Sequence, residues 1–246
     1  MGRPAVGRPI VIALDGPAGV GKSTVGERVG ALLGFFYFDT GILYRAVALR
    51  ALGAEADPSD EASLAHLVQD LDVVVRPPSQ ADGRQCDVIL DGRDVSHQIR
   101  TPAVDAVVSA VAASPAVRAG LIDVQRRQVQ GSGSILAGRD IGTVVCPQAD
   151  LKVFLQASAH ERARRRVTQR GGDDTDLGRE QGAIEERDRT DSTRSLAPLT
   201  RADDAVEIDT EGRDIDEVVA AVIEALERAL GRSVPRAAAG EHAGKG

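Results

Sequence analysis

Ile10-Val11-Ile12-Ala13-Leu14-Asp15-Gly16-Pro17-Ala18-Gly19-Val20-Gly21-Lys22-Ser23-Thr24 is the stretch from which the rest of the chain can be read. Its first half is an apolar run rich in Ile and Val, the profile of a buried strand, and Asp15-Gly16 turns the chain out of it. A helix is expected from about Lys22. Gly16 to Ser23 therefore fits GxxxxGK[ST] between a strand and a helix, the context that gives the pattern meaning. Glycines let consecutive N–H groups converge on phosphate oxygens, Lys22 brings positive charge to the β and γ phosphates, and the Ser23 hydroxyl can ligate Mg²⁺. Gly16, Pro17, Ala18, Gly19, Val20, Gly21, Lys22, Ser23 and Thr24 are thus the expected ATP cradle, with Gly21 chosen so that no side chain blocks the phosphates. A Gly-rich turn that merely caps a helix is the bland alternative.

Outward from this unit the same rhythm repeats. Phe35 to Phe38 reads as a second short strand, followed by helical spacing of Ile42, Ala46 and Leu49. Ser134 to Ala137, Leu151 to Leu155 and Ala205 to Ile208 add three more apolar runs alternating with helical stretches, the last helix covering Ile215 to Leu230. The fold class expected is α/β, with a five-stranded parallel sheet in a doubly wound core. Between the second and third strands the character changes: Val73 to Val75, Cys86 to Leu90 and Arg93 to Val95 read as short antiparallel strands, with Asp91-Gly92 as a tight hairpin turn. Val104, Val107, Val108 and Val111 mark a helix stopping near Ser114-Pro115, which also starts the next one. Ser158 to Glu161 is a capping-box pattern opening an arginine-rich helix that ends at Gly171-Gly172, before a polar stretch expected to be mobile. The domain reading is a core of residues 1–66 and 130–231, a lid within it at about 159–196, an insertion over 67–129, and a disordered tail over 232–246.

Composition limits the function classes. The 246 residues carry a net charge of −7 and only 2% aromatic residues, which disfavours a nucleic-acid backbone or a single strand as partner. Cys86 and Cys146 stand far apart without CxxC spacing, so neither a disulfide framework nor a zinc site is expected, and the compartment reads as reducing. No run approaches ~18 uninterrupted apolar residues, so a membrane partner is not expected and the chain is placed in the cytoplasm. Nothing in the sequence requires an oligomer, and a monomer is expected.

The phosphate cradle alone leaves a kinase, a GTPase switch and a mechanical ATPase open. No NKxD-type guanine reader follows, and the remaining length suits transfer to a small acceptor. Asp39-Thr40-Gly41 with Tyr44-Arg45 sits just after the second strand, at the sheet edge where ligands of open α/β sheets bind. Together, Asp39-to-Arg45 (DTGILYR), Val88-to-Thr101 (VILDGRDVSHQIRT), Gly138-to-Thr143 (GRDIGT) and Glu186-to-Leu199 (ERDRTDSTRSLAPL) resemble the bacterial cytidylate kinases in order and spacing, over roughly Ile10 to Leu230.

That resemblance implies a core sheet, an inserted acceptor-binding region holding the small sheet, and a helical arginine-rich lid. It implies the reaction ATP + (d)CMP to ADP + (d)CDP with Mg²⁺. Carried over by motif, Thr40, Ser109, Arg118, Asp140, Arg187, Asp191 and Arg194 are expected at CMP, with Arg45 and Arg139 on its phosphate. Lys22, Arg45, Arg139, Arg187 and Arg194 are the expected catalytic set. Arg187, Asp191 and Arg194 stand at i, i+4 and i+7 and share one face if helical, although a solvated charged helix has the same spacing. Many members resembling this family carry an acidic residue before the GRD triplet where this chain has Ala137, so the metal is expected on Ser23 directly and on Asp39 through water. Kinases for UMP, AMP or shikimate and a non-catalytic nucleotide sensor remain the alternatives.

Overall fold

The computed structural model describes residues 8–129, 131–194 and 196–237. They form two units: one runs to Asp39 and resumes at Val129, and the other is Thr40–Gln128.

The first unit is built on a five-stranded parallel sheet. β1 (Ile10–Asp15) pairs with β6 (Gly133–Gly138) on one side and β7 (Leu151–Gln156) on the other; β2 (Phe36–Asp39) and β8 (Val206–Asp209) complete the edges, giving the order β2-β6-β1-β7-β8. All six residues of β6 are buried, as expected of a strand inside a parallel sheet. The chain leaves β1 where its neighbours diverge, β6 to one side and β7 to the other, so the loop after β1 opens at the switch point where such sheets bind ligands. α1 (Lys22–Leu33) and α8 (Ile215–Leu230) pack together, and their Val25, Val29, Val218, Val222 and Leu226 close the core over Ile12, Leu14, Val153 and Leu155. Close helix–sheet packing uses Gly26, where a Cβ would lie 2.4 Å from the Tyr37 ring. α6 (Ala159–Gln169) and α7 (Leu177–Thr193) pack against each other.

In the second unit, β3 (Val73–Arg76), β4 (Asp87–Leu90) and β5 (Arg93–Asp94) form the antiparallel sheet. Asp91 and Gly92 between the last two have φ of 51° and 77°, the paired positive values that select an Asp-Gly turn. Around it lie α2 (Gly41–Gly53), α3 (Glu61–Gln69), α4 (Pro102–Ala113) and α5 (Pro115–Arg126). Ser114 ends α4 and caps α5, its hydroxyl accepting from the Val117 N–H. Arg84 is a keystone beneath the sheet, bonded to Asp82, Asp87 and Asp94, and its charge holds the Asp94 carboxyl down at about 2, after the larger effect of the Ser96 hydroxyl.

Several expectations change. The division falls at Asp39/Thr40 rather than near residue 66, because α2 packs on α3, α4 and α5. The helix α3 has no counterpart among the sequence expectations. The polar stretch after Gly172, expected to be mobile, is ordered into helix from Leu177. At Ser158 only half of the capping box forms: its hydroxyl accepts from the Glu161 N–H, but the Glu161 carboxylate goes to Arg164 and Arg165. The expected disordered tail begins too early. Val234 is buried, and the Ala237 N–H donates to the Leu32 carbonyl at 2.8 Å; residues 238–246 lie outside the described residues. Among the described residues no single helix is long and apolar enough to cross a membrane.

Candidate active site

The loop after β1 is held open by backbone geometry. Gly16, Gly19 and Gly21 have φ of 148°, 79° and 99°, all on the side that side chains disfavour. At Gly16 a Cβ would also sit 2.4 Å from the Leu155 carbonyl oxygen, so two constraints demand glycine there. At Gly21 no protein atom lies within 4 Å of a Cβ; the left-handed backbone is the constraint the chain itself imposes. Gly21 is the N-cap of α1, no side chain caps it, and no acidic residue occupies the first turn, which leaves the helix's positive end available to an anion.

Lys22 turns back over this loop, its Nζ donating to the carbonyls of Gly16 at 2.6 Å and Pro17 at 2.8 Å. Burial pushes its ammonium well below the usual lysine range; the nearby Arg139 pushes the same way, and so does Arg187, while Asp39 and Asp15 oppose them. Lys22, Arg139 and Arg187 therefore stand close enough to influence one another, with Asp39 and Asp15 beside them. Ser23 is half-buried one residue along α1, and Thr24 is exposed.

Asp15 reads in the sequence only as the end of a strand, and the structure gives it more to do. It is buried and accepts from the Ile141 N–H at 2.9 Å and the Gly142 N–H at 2.7 Å, the start of a single π-helical turn over Ile141–Val145. Burial pushes its carboxyl up to about 6 against those two hydrogen bonds. The signal is in the sequence as an acid between an apolar strand and the glycine loop, but its partners lie more than a hundred residues away.

The GRD triplet and the end of α7 meet in one cluster of alternating charge. Arg139 Nε donates to Asp191 Oδ2 at 2.7 Å, Asp191 Oδ1 lies 3.5 Å from Arg194 Nη1, and Arg194 Nη2 lies 3.9 Å from Asp140 Oδ1. Arg194 is buried and its Nε donates to the Ala197 carbonyl at 2.6 Å. Ala197 has φ of 47°, a conformation that costs a non-glycine residue on the order of 1–3 kcal/mol and that aims this carbonyl. Arg187 and Asp191 are one turn apart on α7, as their spacing implied, whereas Arg194 stands just past its end in extended conformation. Four of the five expected acceptor residues of this unit are thus brought together, and Arg187 stands near Lys22 instead.

In the other unit, Thr40 is buried at the start of α2. Arg45 pairs with Asp105 at 2.7 Å and donates to the Ile99 carbonyl at 3.0 Å. Arg118 is buried, its guanidinium 5.5 Å from the centre of the Tyr44 ring and donating to the Ala112 carbonyl at 3.0 Å. Ser109 is exposed on α4.

The chain's residues fit a phosphate-bound magnesium rather than a protein cage. Asp39 ends β2 directly opposite Ala137 in β6, so that pair of strand ends contributes one carboxylate, with Asp15 at the end of the neighbouring β1, and among the described residues no three His, Cys, Asp or Glu side chains form a metal-binding group. Magnesium keeps several waters and takes other ligands from phosphates, so it does not require a cage of protein carboxylates.

A family model described as cytidylate kinase matches residues 12–228. The chain is 44% identical over 220 residues to the cytidylate kinase of Limosilactobacillus reuteri, covering 88% of this chain and 95% of that protein. It is 44% identical over 233 residues to the cytidylate kinase of Geobacter sulfurreducens, covering 94% and 97%. It is 46% identical over 239 residues to a bifunctional pantoate ligase/cytidylate kinase of Synechococcus elongatus, covering 96% of this chain but spanning only 45% of that protein.

Proposed function

The chain belongs to the cytidylate kinase family, and from that membership we propose that it transfers the terminal phosphoryl group of ATP to CMP or dCMP, giving ADP and CDP or dCDP. The observation that carries this reading is the Lys22 ammonium folded over a glycine loop at an uncapped helix N-terminus, with Arg139 and Arg187 near it. Two nucleotides bring several negative charges together, and such a cluster neutralises them. The acceptor is a phosphate oxygen already anionic at neutral pH, so no general base is needed; positioning and charge neutralisation supply the rate.

In this reading Gly16 to Thr24 hold the donor phosphates. Lys22, Arg45, Arg139, Arg187 and Arg194 screen repulsion and stabilise charge on the transferring group. Thr40, Arg45, Ser109, Arg118, Arg139, Asp140, Arg187, Asp191 and Arg194 recognise the monophosphate. Asp140 accepts from the cytosine amino group while Ser109 and Arg118 donate to its ring acceptors. Uracil presents a carbonyl to that carboxylate, a polar mismatch that discriminates strongly in a dry pocket. Magnesium would be held by Ser23, and through water by Asp39, and would supply charge neutralisation at the donor phosphates. The same reading makes the chain a cytoplasmic monomer acting on small nucleotides.

A panel of CMP, dCMP, UMP and AMP as acceptors, with ADP release as the readout, tests it. Turnover with CMP or dCMP at least about fivefold above UMP is the expected result, since a mismatched buried polar pair costs about 1–3 kcal/mol. Preference for UMP or AMP would move the chain to another acceptor, and no ADP with any of them would favour a nucleotide sensor.

A further inference from the structure

All three nitrogens of the Arg162 guanidinium are engaged, yet none of the roles above uses it. It is buried, and each of its nitrogens goes to a different segment. Nε donates to the Ala157 carbonyl at the end of β7 at 3.1 Å, Nη1 donates to the Ala18 carbonyl of the phosphate loop at 2.9 Å, and Nη2 pairs with Asp188 of α7 at 2.6 Å. Its Cβ would lie 3.6 Å from a Cβ placed on Gly19, so it packs directly beneath the loop. Asp188 Oδ1 is buried with no hydrogen-bond partner among the described residues, so Arg162 is the group that satisfies this carboxylate. Asp188 is the residue after Arg187 and three before Asp191, on the helix that carries both.

We infer that Arg162 and Asp188 are positioning residues that tie α7 to the phosphate loop, so that filling the loop with donor nucleotide fixes the helix bearing Arg187 and Asp191. The physical basis is the shared guanidinium. The Ala18 carbonyl and the Asp188 carboxylate are held by two nitrogens of one rigid planar fork, so displacement of the loop carbonyl rotates the partner of α7 as well. A charge-assisted, buried contact of this kind is strong enough to transmit a preference between two helix positions. The other ion pairs between α6 and α7 among the described residues, those of Arg166 and Arg170 with Glu180, lie near the other end of α7, whereas Arg162–Asp188 lies beside Arg187. The inference rests on the proposed transfer reaction for its consequence but not for its test.

The direct experiment is amide hydrogen exchange of the full chain with and without ADP and Mg²⁺, in wild type, Asp188→Asn, Arg162→Lys and the double variant. In wild type, ADP is expected to slow exchange in α7 around residues 184–191 by about tenfold or more, and in Asp188→Asn by less than about threefold although ADP still binds. The double variant should lose no more of that protection than the single ones, because one contact cannot be removed twice. In parallel, Asp188→Asn should lower kcat for transfer with KM for ATP nearly unchanged, and should raise ATP hydrolysis without acceptor relative to transfer. ADP protection of α7 undiminished in Asp188→Asn would overturn the inference. Faster exchange in β1, β6 and α8 in step with α7 would also overturn it, showing a merely structural contact. If wild type fails to phosphorylate CMP, the proposed function falls while the exchange result still decides the tie.

Discussion

The phosphate loop and the cluster around Arg194 both manage charge, but they are built in opposite ways. The loop is eight consecutive residues whose geometry comes from their own backbone: three positive-φ glycines and a bare helix N-terminus. The cluster draws Arg139 and Asp140 from the end of β6 and Asp191 and Arg194 from the end of α7, some fifty residues on, and fixes Arg194 with a strained Ala197 carbonyl. One presents a lysine and bare backbone N–H groups, and the other is a set of opposite charges already paired. A local motif can therefore be lost by one substitution that changes its chemistry, whereas the assembled cluster should fail by degrees.

The largest effect expected is at the loop. Lys22→Met removes the charge that Arg139 and Arg187 crowd, and turnover should fall by about 10²–10³-fold or more with the fold intact, checked by steady-state rates beside a melting curve. Normal turnover in that variant would erase the contrast between the two regions.

Next is the strut beneath both, Asp15. Its carboxyl rises from 3.8 to about 6 on folding because it is buried, so the native state binds the extra proton between those values. That contribution to stability is fully present below about pH 4 and is lost as pH rises through about 6. A rise of this size is worth on the order of 3 kcal/mol. Denaturant midpoints across pH 4–7 should show this fall in wild type and a flatter profile in Asp15→Asn, which keeps a carbonyl to accept from one of the two N–H groups.

Asp191→Asn leaves Arg139 and Arg194 without the anion between them. Losing charge-assisted hydrogen bonds of this type costs about 1.5–3 kcal/mol, so KM for CMP should rise by about 10- to 100-fold while KM for ATP moves little. An equal rise in both would mean that the cluster serves the donor as well. The smallest effect is a control away from both regions. Asp214 and Glu217 form a full capping box on α8, and Asp214→Ala should cost about 1 kcal/mol, lowering Tm by a few degrees without changing kcat.

What the sequence made legible follows the same division. The five parallel strands, the Asp91-Gly92 hairpin and the phosphate loop are local patterns, and each lies within a residue or two of its expected place. The cluster could be assembled beforehand only through family resemblance, since nothing at Arg139 by itself points to Asp191. Features set by tertiary packing escaped altogether. α7 begins in a stretch too polar to show an apolar face, because it is fixed to α6 by ion pairs rather than by a hydrophobic stripe. Arg162 is indistinguishable in sequence from the exposed Arg164 and half-buried Arg165, for only its burial and its partners Ala18 and Asp188 set it apart. Asp15 looks like punctuation because its N–H partners arrive only when β6 pairs with β1.

The most direct test of the central claim is to separate the products of a reaction containing the chain, ATP, CMP and Mg²⁺ and to quantify CDP against ADP over time. The account predicts CDP and ADP in equal amounts, both formed about 10²–10³-fold more slowly, or slower still, with Lys22→Met. ADP accumulating without CDP, or neither forming, would contradict it.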